Sequence, residues 1–398
     1  MHNATNWEFM QASSDHALIV LRRCLFIVSM PMFYISFALP VQSRALGASA
    51  LEIGGLFSLF TFSILLMRPV IGFGIDYFGR RLFFLLALLL YIGAYTGYTV
   101  AGSIEMMYVA RFFQGIGAAL LLITVDTMTT DLAPTNARGE SMGRNMEFQT
   151  RASAVGATIG FSLVGIVPLL AWRLSFGLFA VLAVLALIYA LLKLPESRPD
   201  NSQGHTQHMP LSADLIRLFT LLVLLGTAGA LILPIYLIYL QDSFTEDPRM
   251  LSWAFLPAAF VFMFLPSKLG ALADRLNPRL MMAVGMLTAG FLYFAIPLAS
   301  NFWILVLVYS LSVIGWSLIE PTRRLITASL APTTSLARTF GLAEMAYGLG
   351  ATAGPLIGGY LYDHVSHTSP FMFNGGLMVV AAVASIWLLS NAASEATP

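Results

Sequence analysis

A few ionisable and polar residues interrupt the long apolar runs of this sequence, and their chemistry needs an explanation. Arg111 and Gln114 stand three residues apart in one run, and Asp126 lies further along it. Glu147 and Arg151 are four apart in the next run, the spacing at which a pair forms on one helix face. A charge inside an apolar helix is costly unless it is paired or faces water, so each one is a candidate for substrate binding or proton transfer. A purely structural pairing is the alternative for Arg111.

A second set of charges lies near the far end of the chain. Glu320, Arg323 and Arg324 fall in one apolar run, and Glu344 falls near the start of the next. Aromatic residues near helix ends line a cavity or form an interfacial belt, and the sequence leaves both open. These aromatic candidates are Tyr34, Tyr236, Tyr239 and Trp316. Pro40 and Pro234 are predicted to end their apolar runs at equivalent places.

Composition decides the class of protein. Of the 398 residues 58% are hydrophobic and only 10% are charged, whereas a soluble domain carries roughly 25% charged residues. The chain therefore belongs in a bilayer. The net charge of +1 and the scattered arginines exclude nucleic acid as a partner, and the single Cys24 excludes an internal disulfide. His364 and His367 beside Asp363 are predicted to lie in a solvated loop, so no metal site is expected.

Apolar runs long enough to cross a bilayer recur about twelve times. We place them at 18-41, 52-75, 82-101, 105-129, 145-168, 172-193, 215-240, 251-272, 280-299, 302-328, 341-362 and 370-391. The prediction is an all-α membrane protein of two six-helix halves, 1-194 and 215-398, joined by a cytoplasmic linker at 195-214. If both termini are cytoplasmic, the outer loops hold only Arg44, Arg173 and Arg249, as the positive-inside rule requires.

The two halves repeat each other, which is expected of a transporter that arose by duplication. The residues 72–76 read GFGID, and 198 positions later the residues 270–274 read GALAD. The same offset relates DLAP at 131–134 to SLAP at 329–332 and Gly143 to Gly341. It also brings Asp126 onto Arg324. Three anchors at one offset predict pseudo-symmetric halves.

In these patterns the chain resembles a member of the major facilitator superfamily over essentially its whole length. The loop GFGIDYFGRR at 72–81 is similar to the signature between helices two and three of that family, and 274–279 form a weaker copy. The resemblance singles out Gly72, Asp76, Gly79, Arg80, Arg81 and Asp274 as motif residues. RFFQGIGAA at 111–119 resembles a motif of proton-coupled exporters, and DLAP at 131–134 matches the loop between helices four and five.

The resemblance departs from drug antiporters at one point. The Gly-Pro pattern of their helix five is missing, since 156–165 reads GATIGFSLVG. A glycine row with one proline, GATAGPLIGG at 350–359, appears in span eleven instead. Small residues at this spacing allow close helix packing in either place.

The family resemblance implies a latch in which Asp131 pairs with Arg80 or Arg81. We also expect a cytoplasmic gate in which Asp126 meets Arg323 and Arg324, with Glu320 and Glu344 facing arginines of the first half. Pairing within each half is the alternative. The two readings differ in what charge reversal does: Asp126→Arg with Arg324→Asp restores transport only if the gate forms.

The predicted function is secondary active transport without a cofactor. The resemblance favours proton-coupled export of a drug, sugar, amino-acid derivative or metallophore-like metabolite by alternating access; an uptake symporter or uniporter on the same fold stays open. Glycine-rich nucleotide motifs and large soluble loops are missing, so an ATP-driven pump and an enzyme are not expected. The expected partners are substrate, protons and lipid. We expect a monomer in a bacterial inner membrane.

Overall fold

The structure is a computed structural model that describes residues 2–134, 137–198, 212–273, 276–331 and 336–388. These residues form thirteen α-helices and one short 3₁₀ helix, Ile296–Leu298. The helices are α1 (His2–Ser29), α2 (Pro31–Ala45), α3 (Ala50–Phe78), α4 (Arg80–Val100), α5 (Ile104–Leu132), α6 (Arg138–Ile166), α7 (Ala171–Lys193), α8 (Ala213–Ser243), α9 (Pro248–Ala273), α10 (Pro278–Ala295), α11 (Phe302–Leu330), α12 (Leu336–His364) and α13 (Ser369–Leu388).

The predicted membrane fold is confirmed. Nine helical segments of the described chain are long and apolar enough to cross a bilayer, and α1 and α2 together form the first of them, Ser14–Ala45. The helices α6, α9 and α12 have 26 to 29 residues and complete a set of twelve. Several helices begin earlier than predicted because their first turns are charged, and hydropathy marks only the part within hydrocarbon.

The prolines predicted to end helices lie inside them. We expected Pro40 and Pro234 to end their spans, but α2 continues to Ala45 and α8 continues to Ser243, so that prediction was wrong. Within a bilayer a helix that stops leaves its backbone groups without water, so continuing past a proline costs less than ending there. The first span instead breaks at Pro31, which begins α2 and needs no N–H donor at that position.

The chain divides into two compact units. The first contains Met1–Leu46 and Leu59–His205; the second contains Gly47–Ser58 and Thr206–Pro398. The first turns of α3 thus belong to the second unit. The predicted linker at 195-214 lies mostly outside the described residues.

Each unit is built from the same helix pairs, as the repeat predicted. In the first unit α2 packs on α6, and α4 packs on α5 and α7. In the second, α8 packs on α12, and α10 packs on α11 and α13. Because the pairs recur in corresponding order, the pseudo-symmetry read from the sequence is present in the helix packing of the units.

Glycine rows bring the central helix pair of the second unit into close contact, as the spacing in span eleven predicted. A Cβ added at Gly350 would overlap the Val223 carbonyl, and one at Gly226 would overlap the Tyr347 carbonyl. Further along α12, a Cβ at Gly358 would lie 2.9 Å from the Leu231 carbonyl oxygen. The backbones of α8 and α12 therefore meet without intervening side chains.

Candidate functional site

Arg111 is buried inside the first unit, in the middle of a polar cluster. The residue is 4% exposed; its Nη1 donates to Gln114 Oε1 at 2.7 Å, and its guanidinium lies 4.3 Å from the centre of the Phe60 ring. Tyr98 donates its hydroxyl proton to the same Gln114 oxygen at 2.8 Å. Phe60, Tyr98 and Arg111 come from α3, α4 and α5. The helices thus place a cation among a neutral amide and aromatic rings, which keeps its charge inside the apolar layer.

The fold around this cluster is held by aromatic side chains that sequence reasoning did not select. Trp172 Nε1 donates to the Tyr98 carbonyl at 2.6 Å, and the ring of Phe176 lies 5.0 Å from that of Tyr98. The Tyr95 hydroxyl donates to the Val28 carbonyl at 2.7 Å. The spacing of the α4 tyrosines at 91, 95 and 98 is a helical stripe, and that period was the signal available to find them.

The structure places three of the four aromatic candidates within helix packing. Tyr34 is 1% exposed and packs on Phe161, Tyr236 stacks on Tyr309 with ring centres 3.6 Å apart, and Tyr239 lies 5.1 Å from Phe371. These contacts occur within single units. Cavity lining by Tyr34, Tyr236 and Tyr239 stays a prediction.

Trp316 is the aromatic candidate that is partly exposed. Its Nε1 donates to the Tyr293 hydroxyl at 2.7 Å. Its ring would lie 2.9 Å from a Cβ added at Gly229, and the Tyr347 hydroxyl would lie 2.8 Å from the same Cβ. Trp316 and Tyr347 therefore meet beside α8, one helical turn from Glu320.

A network of two arginines and two carboxylates lies in the second unit, on α11 and α12. Arg323 is 4% exposed and donates to Glu320 at 2.9 Å and to Glu344 at 2.8 Å. Arg324 donates to the same Glu320 at 3.0 Å, and the Arg323 guanidinium lies 4.9 Å from the centre of the Tyr347 ring. Both carboxylates are more than a third exposed, so a proton can reach them. A proton on either one removes a partner from a buried cation.

The candidate charges of the first unit are arranged differently. Glu147 and Arg151 form the predicted pair along α6, and both are exposed. Arg144 pairs with Glu140 at 2.6 Å on the same helix, and both of these side chains are also exposed. Asp126 is exposed on α5 and forms no ion pair with a described residue of its own unit. The predicted gate stays a prediction, because the pairs seen here form within a unit.

A second polar chain, absent from our predictions, joins three helices of the first unit. Arg22 on α1 is 8% exposed and donates to Asn145 Oδ1 at 3.0 Å and to the Ser141 carbonyl at 3.3 Å. Asn145 in turn donates to Thr129 Oγ1 at 2.7 Å. The sequence did not single out Arg22. Its burial depends on where α6 passes α1, which a single sequence does not reveal.

The loop motif between α3 and α4 is built around Arg80. Its Nε donates to Asp131 Oδ2 at 3.0 Å and its Nη1 donates to the Ile75 carbonyl at 3.1 Å. Arg81 instead donates to the Leu191 carbonyl at 2.7 Å. Asp274 lies outside the described residues, and so do the side chain of Asp76 and the surroundings of Gly72. The Arg80–Asp131 contact is one of the two options for the implied latch, and its gating role stays a prediction.

Glu196, which follows α7, caps the start of α4. Its carboxylate accepts the backbone N–H groups of Arg80 at 2.8 Å and Arg81 at 3.1 Å, and also those of Ser197 and Arg198. Gly79 precedes the helix with φ +90°, and a Cβ there would lie 2.6 Å from Glu196 Oε2. Partial burial raises the pKa of Glu196, but the four donors outweigh it and leave the pKa below its usual value. We had assigned Glu196 to the linker.

This cap has a pH signature. Glu196→Ala is expected to lower the free energy of unfolding by about 1 kcal/mol at pH 7, because two amides of α4 lose their acceptor. The folded-state pKa lies below the unfolded value of about 4.3, so the stabilisation is complete above that pH and fades as the pH falls through the folded pKa. Thermal unfolding in detergent from pH 7 to pH 3 measures it. The exposed Glu246→Ala is the control, and a Glu196→Ala difference that does not shrink as the pH falls contradicts the cap.

Asp363 also has a role that the sequence did not indicate. Its carboxylate accepts the N–H groups of Ala50 at 3.1 Å and Leu51 at 2.7 Å, so within the second unit it caps the start of α3. His364 stacks on Tyr360 and His367 stacks on Tyr362, with ring centres 4.6 and 4.5 Å apart. No group of three potential metal ligands occurs among the residues that the structure describes.

Comparison with known proteins agrees with this architecture. Multidrug resistance protein 2 of Bacillus subtilis (strain 168) is 22% identical over 385 residues, which cover 93% of this chain and 94% of that protein. The human chromaffin granule amine transporter is 23% identical over 353 residues, covering 86% of this chain and 66% of that protein. A solved peptide transporter in complex with sulfate shares the fold, with a TM-score of 0.75, 16% identity and 95% of each chain covered.

The sequence profile of the Major Facilitator Superfamily matches residues 24–217 and again residues 218–398, so almost the whole chain is covered. Each match covers all or most of six of the twelve membrane-length segments. The chain therefore belongs to the Major Facilitator Superfamily and is a multi-pass membrane transporter, not an enzyme.

Proposed function

We propose that this transporter is a proton-coupled exporter of small organic molecules that works by alternating access. The observation that carries the proposal is the Arg111 cluster, a buried cation held by Gln114 and Phe60 with Tyr98 on the same amide oxygen. A buried charge of this kind is retained where it binds substrate or responds to a change of charge nearby. The relatives named for multidrug resistance support export over uptake.

The substrate class follows from the same cluster. The aromatic rings suit the apolar part of amphiphilic organic molecules, and drugs and amines come first because proteins named for them are among the relatives. Sugars, amino-acid derivatives and metallophore-like metabolites fit the polar groups less specifically. Protons and the lipid bilayer complete the set of partners, and one copy of the chain supplies both repeats.

We assign the proton site to the carboxylates on Arg323. Glu344 and Glu320 compensate the charge of Arg323, which is 4% exposed, so protonating Glu344 leaves Arg323 with one fewer charged partner. The arginine then gains by moving toward another acceptor or toward water. Protonation of Glu344 thus changes the relative free energies of the two positions of Arg323. The proton gradient can drive the transport cycle through this change.

The test is Glu344→Gln, which mimics a permanently protonated carboxyl. We expect proton-driven transport in vesicles to fall about tenfold, since a group that cannot release its proton cannot couple. Exchange of substrate between two sides at equal pH is expected to continue. Glu140→Gln, which removes an exposed carboxylate of another arginine pair, is the matched control and should leave both rates unchanged.

Two results of this comparison contradict the assignment. One is full proton-driven transport by Glu344→Gln, which removes Glu344 from the coupling path. The other is equal loss of driven transport and exchange, which means that the residue serves structure or substrate binding. We place the transporter in a bacterial inner membrane with both termini cytoplasmic, where the inward proton gradient drives export.

A further inference from the structure

A groove opens between α4 and α5 of the first unit, away from the Arg111 cluster. Its volume is about 460 Å³, which lies in the range of pockets that hold small molecules. It is lined by apolar side chains and glycines, and Glu105 is the one charged residue of its lining. Neither the proposed transport cycle nor any motif described above uses it.

Two glycines create the groove. Gly93 and Gly97 lie one turn apart on the same face of α4, toward α5. A Cβ at Gly97 would lie 3.0 Å from the Ala110 Cβ, so the helices nearly touch at that level. A Cβ at Gly93 would meet nothing within 4 Å. The space beside Gly93 is therefore open, and the glycine leaves it unfilled.

The groove faces the lipid. Its rim is formed by apolar side chains whose exposed fractions are large for residues inside a span, 54% for Leu89, 58% for Val109 and 41% for Phe113. Both α4 and α5 are membrane-crossing segments. An alkyl chain is the occupant that such a surface accepts from a bilayer, because it fills the space without burying a polar group.

Charge distinguishes one end of the groove from the other. Glu105 lies in the first turn of α5, at the membrane-surface end and next to the level of Gly97. Its carboxylate is exposed, and the lining supplies no cation to neutralise it or to receive a phosphate. An anionic lipid headgroup would meet only a negative charge there. An ammonium group at the end of an alkyl chain meets a carboxylate.

We propose that this groove binds cationic amphiphiles, with the alkyl chain beside Gly93 and the ammonium group on Glu105. The site takes molecules from the bilayer and lies outside the Arg111 cluster, so it stands whether or not the chain is a proton-coupled exporter. A long-chain alkylammonium is the minimal ligand. Glu105 lies in the first turn of α5, where the positive end of the helix dipole stabilises a carboxylate.

The probe is hexadecyltrimethylammonium with a photoreactive diazirine in its chain, and hexadecanol with the same diazirine is its neutral counterpart. The full-length protein is labelled in phosphatidylcholine nanodiscs, and labelled peptides are mapped by mass spectrometry. We expect the cationic probe to label the 89–113 region and to be displaced by unlabelled hexadecyltrimethylammonium.

Three variants distinguish the contribution of the alkyl chain to labelling from that of the ammonium group, and both from a general effect of substitution. Gly93→Leu fills the open space and should lower labelling of the region by both probes about fivefold or more. Glu105→Gln should lower labelling by the cationic probe about fivefold and leave the neutral probe unchanged, as expected for one exposed charge pair. Gly165→Leu places the same side chain at an exposed glycine with open space on α6 and should change neither.

The proposal is overturned if Gly93→Leu leaves labelling unchanged, because the tail then lies elsewhere. It is also overturned if Glu105→Gln affects both probes equally or neither, because the groove would then be an ordinary lipid-facing surface without selectivity for cations. Transport activity is not part of the readout, so failure here leaves the proposed exporter function untouched.

Discussion

Arg111→Ala is expected to lower proton-driven transport about a hundredfold while the protein still folds and reaches the membrane. Arg111 is 4% exposed, and its guanidinium contacts Gln114 and Phe60. Neither of these residues nor Tyr98 carries a positive charge that could replace it. Arg111→Lys is expected to lose about tenfold, because a lysine retains the charge but not the planar group that stacks on Phe60 while bonding Gln114. Initial rates of substrate uptake into inside-out vesicles measure both effects.

Two further variants make this result interpretable. Arg111→Met replaces the charged side chain by an unbranched apolar one, so it should match the wild type in thermal stability and still be inactive. Arg173→Ala removes an exposed arginine at the start of α7 and should retain full activity. Transport by Arg111→Met at the wild-type rate would show that the arginine is structural, which is the alternative that the sequence left open.

Gly350→Val is expected to destabilise the second unit by about 3 kcal/mol or more. A Cβ at this position would overlap the Val223 carbonyl of α8, and backbone is less able to give way than the end of a side chain. The helices would have to separate along the row that also includes Gly226 and Gly358. We expect little folded protein in the membrane, and what remains should lose its monodisperse peak in detergent at a much lower temperature than the wild type.

Gly341→Val is the matched control because it places the same substitution on the same helix, where a Cβ would meet nothing within 4 Å. Its free energy of unfolding should stay within about 0.5 kcal/mol of the wild type. Equal stability of the two variants would contradict the account of α8 and α12 as helices in direct backbone contact.

Much of the fold follows from patterns that repeat over long stretches. Twelve apolar runs, the 198-residue offset and the glycine spacing at 350–359 predicted the helix count, the paired units and the close helix contact. Local breaks were less predictable: Pro40 and Pro234 do not end their helices, whereas Pro31 begins one. Whether a proline breaks a helix in a membrane depends on whether neighbouring groups replace the lost hydrogen bond, and that is a property of packing.

The candidate site was predictable in its charges and not in their surroundings. Arg111, Gln114 and the carboxylates stand out in an apolar sequence, so composition alone selects them. Tyr98 and Phe60 do not stand out, because aromatic residues are common in spans, and they become part of the site only where α3 and α4 meet α5. Glu196 likewise looked like linker, and it caps α4 because the chain returns to that helix after α7.

The most direct test of proton-coupled export is a proton-movement assay in inside-out vesicles that respiration has made acidic inside. A panel of cationic drugs, amines, sugars, amino-acid derivatives and chelators is added to vesicles containing the wild type or Arg111→Ala. Export in the cell corresponds to movement into these vesicles, so an exported substrate should draw protons out of the lumen. We predict that one class of compound makes the lumen less acidic with the wild type and has no effect with Arg111→Ala. If no compound added outside discharges the gradient, while a substrate loaded inside leaves together with protons, the protein is an uptake symporter and the proposal of export is wrong.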